Sequence, residues 1–144
     1  MSEACELPLS NATPDEIRAI LATAHTIAVV GLSDKPDRAS HRVAAYLQRH
    51  GYRIIPVNPL VTEVLGERAY ARLRDVPDKV DLVDVFRRPE HVPEVVEAAI
   101  AIGAGAVWMQ EGIVHNAAAE KARAAGLRVV MDRCTLKEHR ASGL

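Results

Sequence analysis

Aromatic residues are nearly missing from this sequence: one Trp, three Tyr and one Phe make up 3% of its 144 residues. Its core must therefore be aliphatic, packed from Val, Ile, Leu and Ala. The scarcity also argues against a base-stacking platform for nucleic acid, which needs several exposed rings. An excess of positive charge is missing too. Lys and Arg total 18 against 19 Asp and Glu, for a formal net charge of −1. No broad basic surface exists to draw in a polyanion. No apolar run approaches the roughly 20 residues that span a bilayer, so no membrane association is expected. The stretch Met1–Leu9 carries Glu3 and Glu6 and lacks the apolar centre of a signal peptide. Cysteine is limited to Cys5 and Cys134. Cys5 falls in residues 1–12, expected to be a loose tail, so a bridge between the two is not expected. Two free thiols suit a reducing compartment, and the expected location is the cytoplasm.

What remains is ample for one globular domain over residues 1–144. Hydrophobic residues make up 49% and charged residues 26%, enough apolar surface to offset chain entropy. Thr13-Pro14-Asp15-Glu16 reads as a helix start, with Thr13 as cap, Pro14 in the first turn and Glu16 three residues after the cap. Ile17, Ile20 and Leu21 then fall at helical spacing, which predicts a helix from Pro14 to Ala24. Thr26–Val30 is a short, continuous apolar run ending at Gly31, the pattern of a strand buried on both faces. Ser40 is the expected cap of a helix running to His50, with Val43, Tyr46 and Leu47 inward and Gly51 as its stop.

Strand signals recur at Tyr52–Val57, Val80–Phe86, Ala106–Met109 and Leu127–Met131. Asp81 and Asp84 are expected near the ends or edges of the third strand. Helices are predicted at Pro89–Ile102, with Pro93 in its first turn, and at Asn116–Ala125, closed by Gly126. A loop with a short helix separates the second strand from the third, and Leu136–Arg140 forms a last short helix. Strands alternate with helices, so pairing is parallel and crossovers are right-handed. The expected class is α/β: a Rossmann-like, doubly wound parallel sheet of about five strands with helices on both faces.

In such sheets ligands bind beyond the carboxyl ends of the strands, where strand order reverses. The first strand leads through Gly31-Leu32-Ser33-Asp34-Lys35-Pro36-Asp37-Arg38-Ala39-Ser40 into a helix. Lys35 and Arg38 bring full positive charge beside the helix N-terminus, a plausible phosphate seat. The dinucleotide fingerprint is absent, because Ser33 and Pro36 occupy its later glycine positions. The second strand ends in Pro56-Val57-Asn58-Pro59, without the acid that holds the ribose of NAD. The third ends in Phe86-Arg87-Arg88-Pro89. Two guanidinium groups there oppose the dipole of the next helix, a conflict that an anionic ligand relieves. Trp108-Met109-Gln110-Glu111-Gly112 ends the fourth strand, with Trp108 expected in the core and Gly112 allowing close backbone approach.

No catalytic constellation emerges. Cys134 and His139 are near in sequence, but no third group orients them. His25, His41, His50, His91 and His115 show no metal-ligand spacing, so neither a catalytic nor a metal site is expected.

These motifs, taken in order, resemble the small stand-alone CoA-binding proteins. The stretches are Val30–Pro36 with Arg38 and Ser40, then Pro56–Pro59, Asp84–Arg88, Val107–Gly112 and Val130–Cys134. The fold of those proteins is similar to the N-terminal, CoA-binding domain of the succinyl-CoA synthetase α subunit. The resemblance implies that coenzyme A is the cofactor and that the loop from Ser33 to Ser40 holds its phosphates. It implies that Val57, Asn58, Pro59, Phe86 and Arg87 flank the adenosine, and that Gln110 to Gly112 lie beside the pantetheine arm. Two departures stand out. Asp34, Lys35 and Pro36 replace a glycine-rich loop. Leu60-Val61-Thr62 replaces a stretch bearing a lysine, for which Lys35, Arg38 or Arg42 are the candidate substitutes.

The resemblance carries binding of CoA or acyl-CoA and not the ligase reaction, whose phosphohistidine belongs to a further domain. The rival readings are a small NAD(P)-dependent oxidoreductase and a regulatory subunit, each relying on a protein partner. A homo-oligomer also fits.

Overall fold

The computed structural model describes residues 6–144. The readings of Met1, Glu3 and Cys5 lie outside them. Helix α1 (Pro14–Thr23) begins with the full capping box. Glu16 N–H donates to Thr13 Oγ1 (3.2 Å) and Thr13 N–H donates to the Glu16 carboxylate (2.7 Å). The remaining elements are β1 (Thr26–Val30), α2 (Ala39–Arg49), β2 (Arg53–Val57), the two-residue strands β3 (Glu63–Val64) and β4 (Glu67–Arg68), β5 (Leu82–Val85), α3 (Val92–Ala101), β6 (Ala106–Met109), α4 (Asn116–Ala124), β7 (Arg128–Val130) and α5 (Thr135–Ser142). Short 3₁₀ turns stand at Leu73–Asp75 and Pro89–His91.

Five strands form one sheet in the order β2-β1-β5-β6-β7, every pair parallel. The chain winds outward from β1 to β2, crosses back to β5, and then proceeds outward the other way. Strand order therefore reverses between β1 and β5, and this opens a crevice at their carboxyl ends. Alternation along the strands sorts the core into two layers. Ala28, Val30, Val83, Val85, Val107 and Met109 pack with α3 and α4. Ile27, Val29, Leu82 and Trp108 pack with α1 and α2. The helices thus cover both faces, as the alternating pattern predicted. No helix among the described residues is long and apolar enough to cross a membrane.

Four expectations are corrected. Ser40 does not cap α2. Arg38 holds the cap position without a side-chain bond, and Ser40 Oγ instead accepts from Ser33 N–H (3.0 Å), closing the loop onto the helix. Asp84 is near the carboxyl end of its strand as expected, but not at an edge of the sheet. It sits inside β5 in register with Val29 and Trp108, fully buried. The segment after β2 contains a tight hairpin, β3–β4, which no Asn-Gly signal announced. Its turn residues are Leu65 and Gly66, at φ +55° and +77°.

Residues 6–12, finally, are fastened rather than loose. The Glu6 carboxylate accepts from the backbone N–H (2.5 Å) and side-chain amide (2.9 Å) of Asn116 at the start of α4. Asn11 brackets Met131, donating to its carbonyl (2.8 Å) and accepting from its N–H (2.9 Å).

Candidate functional site

A cleft of about 590 Å³ opens at the reversal point. Gly31 ends β1 there with φ +90° and donates its N–H to the Val57 carbonyl at the end of β2 (2.8 Å). The Phe86 carbonyl presses against its Cα, where no Cβ fits. Glycine is thus required both for its backbone conformation and for the close approach of the β5 end. Val30, Val57, Leu73, Val95 and Ala98 supply a buried apolar lining. Arg72, Arg74, Glu94 and Glu97 add charge to the walls.

Of the residues singled out in the sequence, Gly31, Val57, Asn58, Pro59, Phe86 and Arg87 line this cleft. Arg87 is half-buried, and the described residues give it no ion-pair partner. The other wall charges are mostly engaged: Arg72 with Asp75 (3.1 Å), Glu97 with Lys121 (2.9 Å) and Glu94 with His91 (3.3 Å). Arg87 is therefore the cleft's uncommitted cation, together with Arg74.

Ser33, Lys35, Pro36, Arg38 and Ser40 stand outside the cleft wall, on the loop that runs from Gly31 into α2. Lys35 and Arg38 are exposed there without ion pairs among the described residues. Because α2 has no side-chain cap, its first turn keeps backbone donors available beside these two cations. Arg88 is exposed at the cap position of the 3₁₀ turn that precedes α3.

Three side chains do structural work the sequence did not reveal. Asn58 donates to the Leu32 carbonyl and accepts from Leu60 N–H, each at 2.9 Å, and so ties the loop after β1 to the loop after β2. Gln110 is buried, and its amide nitrogen donates to Asp84 Oδ1 (2.6 Å) and Thr135 Oγ1 (2.9 Å). Thr135 in turn donates to Asp84 Oδ2 (3.1 Å). This triad joins β5, the end of β6 and the start of α5. Burial pushes the Asp84 carboxyl up to about 7, against the opposing pull of those two hydrogen bonds. Gly112, also outside the cleft wall, has φ +82° and donates its N–H to Asp132 Oδ1 (2.8 Å), which pins the loop after β6 to the loop after β7.

Cys134 is buried at the cap of α5. His139 bonds the Tyr46 hydroxyl (2.8 Å), not the thiol. Among the described residues no three His, Cys, Asp or Glu cluster to hold a metal. Sequence reasoning missed Leu60, Ala71, Leu73, Val95 and Ala98 as wall residues. Their signals were those of an ordinary loop and an ordinary helix face, and only the return of the chain from β2 to β5 brings them together.

A family model described as a CoA binding domain matches residues 25–140. The chain belongs to the CoA-binding domain family. The match takes in the whole parallel sheet and the cleft at its reversal point. An uncharacterized protein of Bacillus subtilis (strain 168), YneT, is 42% identical over 131 residues, covering 91% of this chain and 97% of that one. A solved hypothetical protein from Pyrococcus horikoshii OT3 is 42% identical with a TM-score of 0.90, over 100% of both chains. Small stand-alone members with this fold therefore exist. The same domain also occurs inside larger proteins. An ADP-forming acetate–CoA ligase of Methanocaldococcus jannaschii is 25% identical over 117 residues, which are 76% of this chain and 17% of the ligase.

Proposed function

We propose that this chain binds coenzyme A or an acyl-CoA at the carboxyl ends of its parallel strands, without catalysis of its own. The observation that carries the reading is the cleft between the ends of β1, β2 and β5, lined by a half-buried Arg87 that has no ion-pair partner among the described residues, in a chain of the CoA-binding family. The residues present fit such a ligand. An apolar cleft of about 590 Å³ takes a large uncharged portion. Arg87 would take phosphate in forked geometry, and Lys35, Arg38 and the uncapped first turn of α2 would add donors and charge on the loop that leaves the cleft at Gly31. The resemblance would set Gly112 beside the pantetheine arm, whose thiol is the chemistry CoA would supply when bound. The protein is then a cytoplasmic, nucleotide-binding module of one domain that senses, holds or delivers the cofactor, alone or to a protein partner.

The NAD(P) reading loses further ground in the structure. The Asn58 side chain, where an acid would hold the ribose, is engaged with two loops.

The test is calorimetric titration of the ligand-stripped protein with CoA, 3′-dephospho-CoA and NADP, paired with mass spectrometry of whatever the purified protein releases. CoA is expected to bind, with affinity weakened about tenfold in Arg87→Ala and in Arg38→Ala by loss of a charged hydrogen bond. Absence of CoA binding alongside a clear NADP signal overturns the proposal.

A further inference from the structure

Helix α5 docks through polar residues. Its buried residues are Thr135 and His139, one turn apart on the same side, while its one leucine, Leu136, is only half-buried. Surface helices ordinarily dock through an apolar stripe. Here two hydrogen bonds made away from water take that place. Thr135 Oγ1 donates to Asp84 Oδ2 (3.1 Å) and accepts from the Gln110 amide (2.9 Å). His139 Nδ1 and the Tyr46 hydroxyl share a hydrogen bond (2.8 Å). At the far end, Arg18 of α1 donates to the Ser142 carbonyl (3.3 Å).

The two inner contacts hold titratable groups of opposite kind, and the docked helix favours the uncharged form of each. The Asp84 carboxyl is fully buried, and its bonded partners, Gln110 and Thr135, are both neutral. Ionised, it would lose water without gaining a cation. His139 is 4% exposed, with the rings of His50, Tyr46 and Tyr52 centred 5.1, 5.5 and 5.7 Å away. No carboxylate pairs with it among the described residues, and the Arg140 guanidinium lies over the Tyr46 ring (5.6 Å). Burial, and then His50, lower the His139 pKa. Burial and Tyr46 push the Tyr52 hydroxyl up, so it brings no negative charge. Of the other charges on α5, Lys137 is paired with Glu111 (3.0 Å) and Glu138 is half-buried beside His139 in sequence.

We propose that α5 is a releasable latch in which mild acid loosens one contact while it tightens the other, because release wets both the acid that the helix covers and the base that it carries. The Asp84 part is complete below 3.8 and is lost as pH rises toward about 7. The His139 part is complete above the ordinary histidine value of 6.5 and is lost as pH falls below it. Just under pH 6.5 the two oppose each other: docked, the proton sits on Asp84, and released, it sits on His139. Beneath the latch lie Trp108, whose indole N–H donates to the Arg133 carbonyl (2.9 Å), and the buried Cys134 thiol.

The test is hydrogen exchange at the α5 amides, each referred to its intrinsic rate, at about pH 5.5 and about pH 6.5. Amides of β5 and β6 report unfolding of the whole domain. The α5 amides are expected to open more readily than those of the sheet. From the higher pH to the lower, the α5 opening constant should rise about threefold in Asp84→Asn, where His139 supplies the slope. It should fall, by at most about tenfold, in His139→Gln, where Asp84 supplies it, with the wild type in between. His50→Gln alters an exposed side chain and keeps the measurement open should a buried variant fail to fold. It removes a charge beside His139, so its response to acid should move from that of the wild type toward that of His139→Gln. Exchange of α5 only together with the sheet overturns the latch. So does a pH response in any of the three variants equal to that of the wild type.

Discussion

Replacing Asp84 by Asn should abolish a specific part of the pH dependence of stability. The Asp84 carboxyl is fully buried between Val29 and Trp108 and touches two donors, Gln110 and Thr135. In the unfolded chain it releases its proton near 3.8; in the folded protein it keeps it up to about 7. Its contribution to stability is complete below 3.8 and is lost as pH rises toward 7, because only the unfolded state gives up the proton over that interval. At about 1.4 kcal/mol per pH unit, the loss totals about 4 kcal/mol.

Asn cannot ionise. Its amide oxygen accepts from Gln110, and its nitrogen donates to Thr135 as the protonated acid would. Urea unfolding of both proteins at about pH 5 and about pH 8 measures the difference. The stability of Asp84→Asn relative to wild type should rise by about 3 kcal/mol across that range. His139 works in the opposite direction. Burial and the neighbouring His50 lower its pKa, so its contribution is full at high pH and falls as pH drops through the ordinary histidine range. It is present in both proteins and cancels in the comparison. An equal stability gap at the two pH values refutes the reasoning, for it means the carboxyl ionises in the folded state as easily as in water.

Two further changes probe the frame around the cleft. Gly31→Ala should destabilise by about 2–4 kcal/mol in thermal melts, since alanine is strained at φ +90° and its Cβ collides with the Phe86 carbonyl. A loss under about 0.5 kcal/mol would show that β5 can move away. Asn11→Ala removes both side-chain bonds to Met131 and should free the N-terminal segment at a local cost of about 1–2 kcal/mol. Hydrogen exchange at the Met131 amide reads this directly, and unchanged protection means the segment is held by other contacts.

Local chemistry alone specified the strands and helices. The Thr13–Glu16 capping box, the apolar runs at Thr26–Val30 and Ala106–Met109, and the helix stops at Gly51 and Gly126 each act within a few residues, so their spacing is readable from the chain. The parallel order follows from the same alternation, because each crossover helix needs a sheet face to bury its apolar stripe. That rule also located the ligand-facing ends and singled out Gly31, Phe86 and Arg87.

Tertiary contact decided the rest. Ser40 does not cap because α2 begins before it, at Ala39, and its hydroxyl accepts instead from Ser33 N–H, seven residues away. Asn58 and Gln110 became braces because residues 26 positions distant meet them, as Leu32 and Asp84 do. Asp84 looks in the sequence like any acid near a strand end; only packing of β5 between β1 and β6, with α5 above, removes it from water. The α3 wall and Leu60 join the cleft for the same reason. A side chain's neighbours along the chain fix its conformation, but burial and charge are set by whichever distant elements the sheet brings against it.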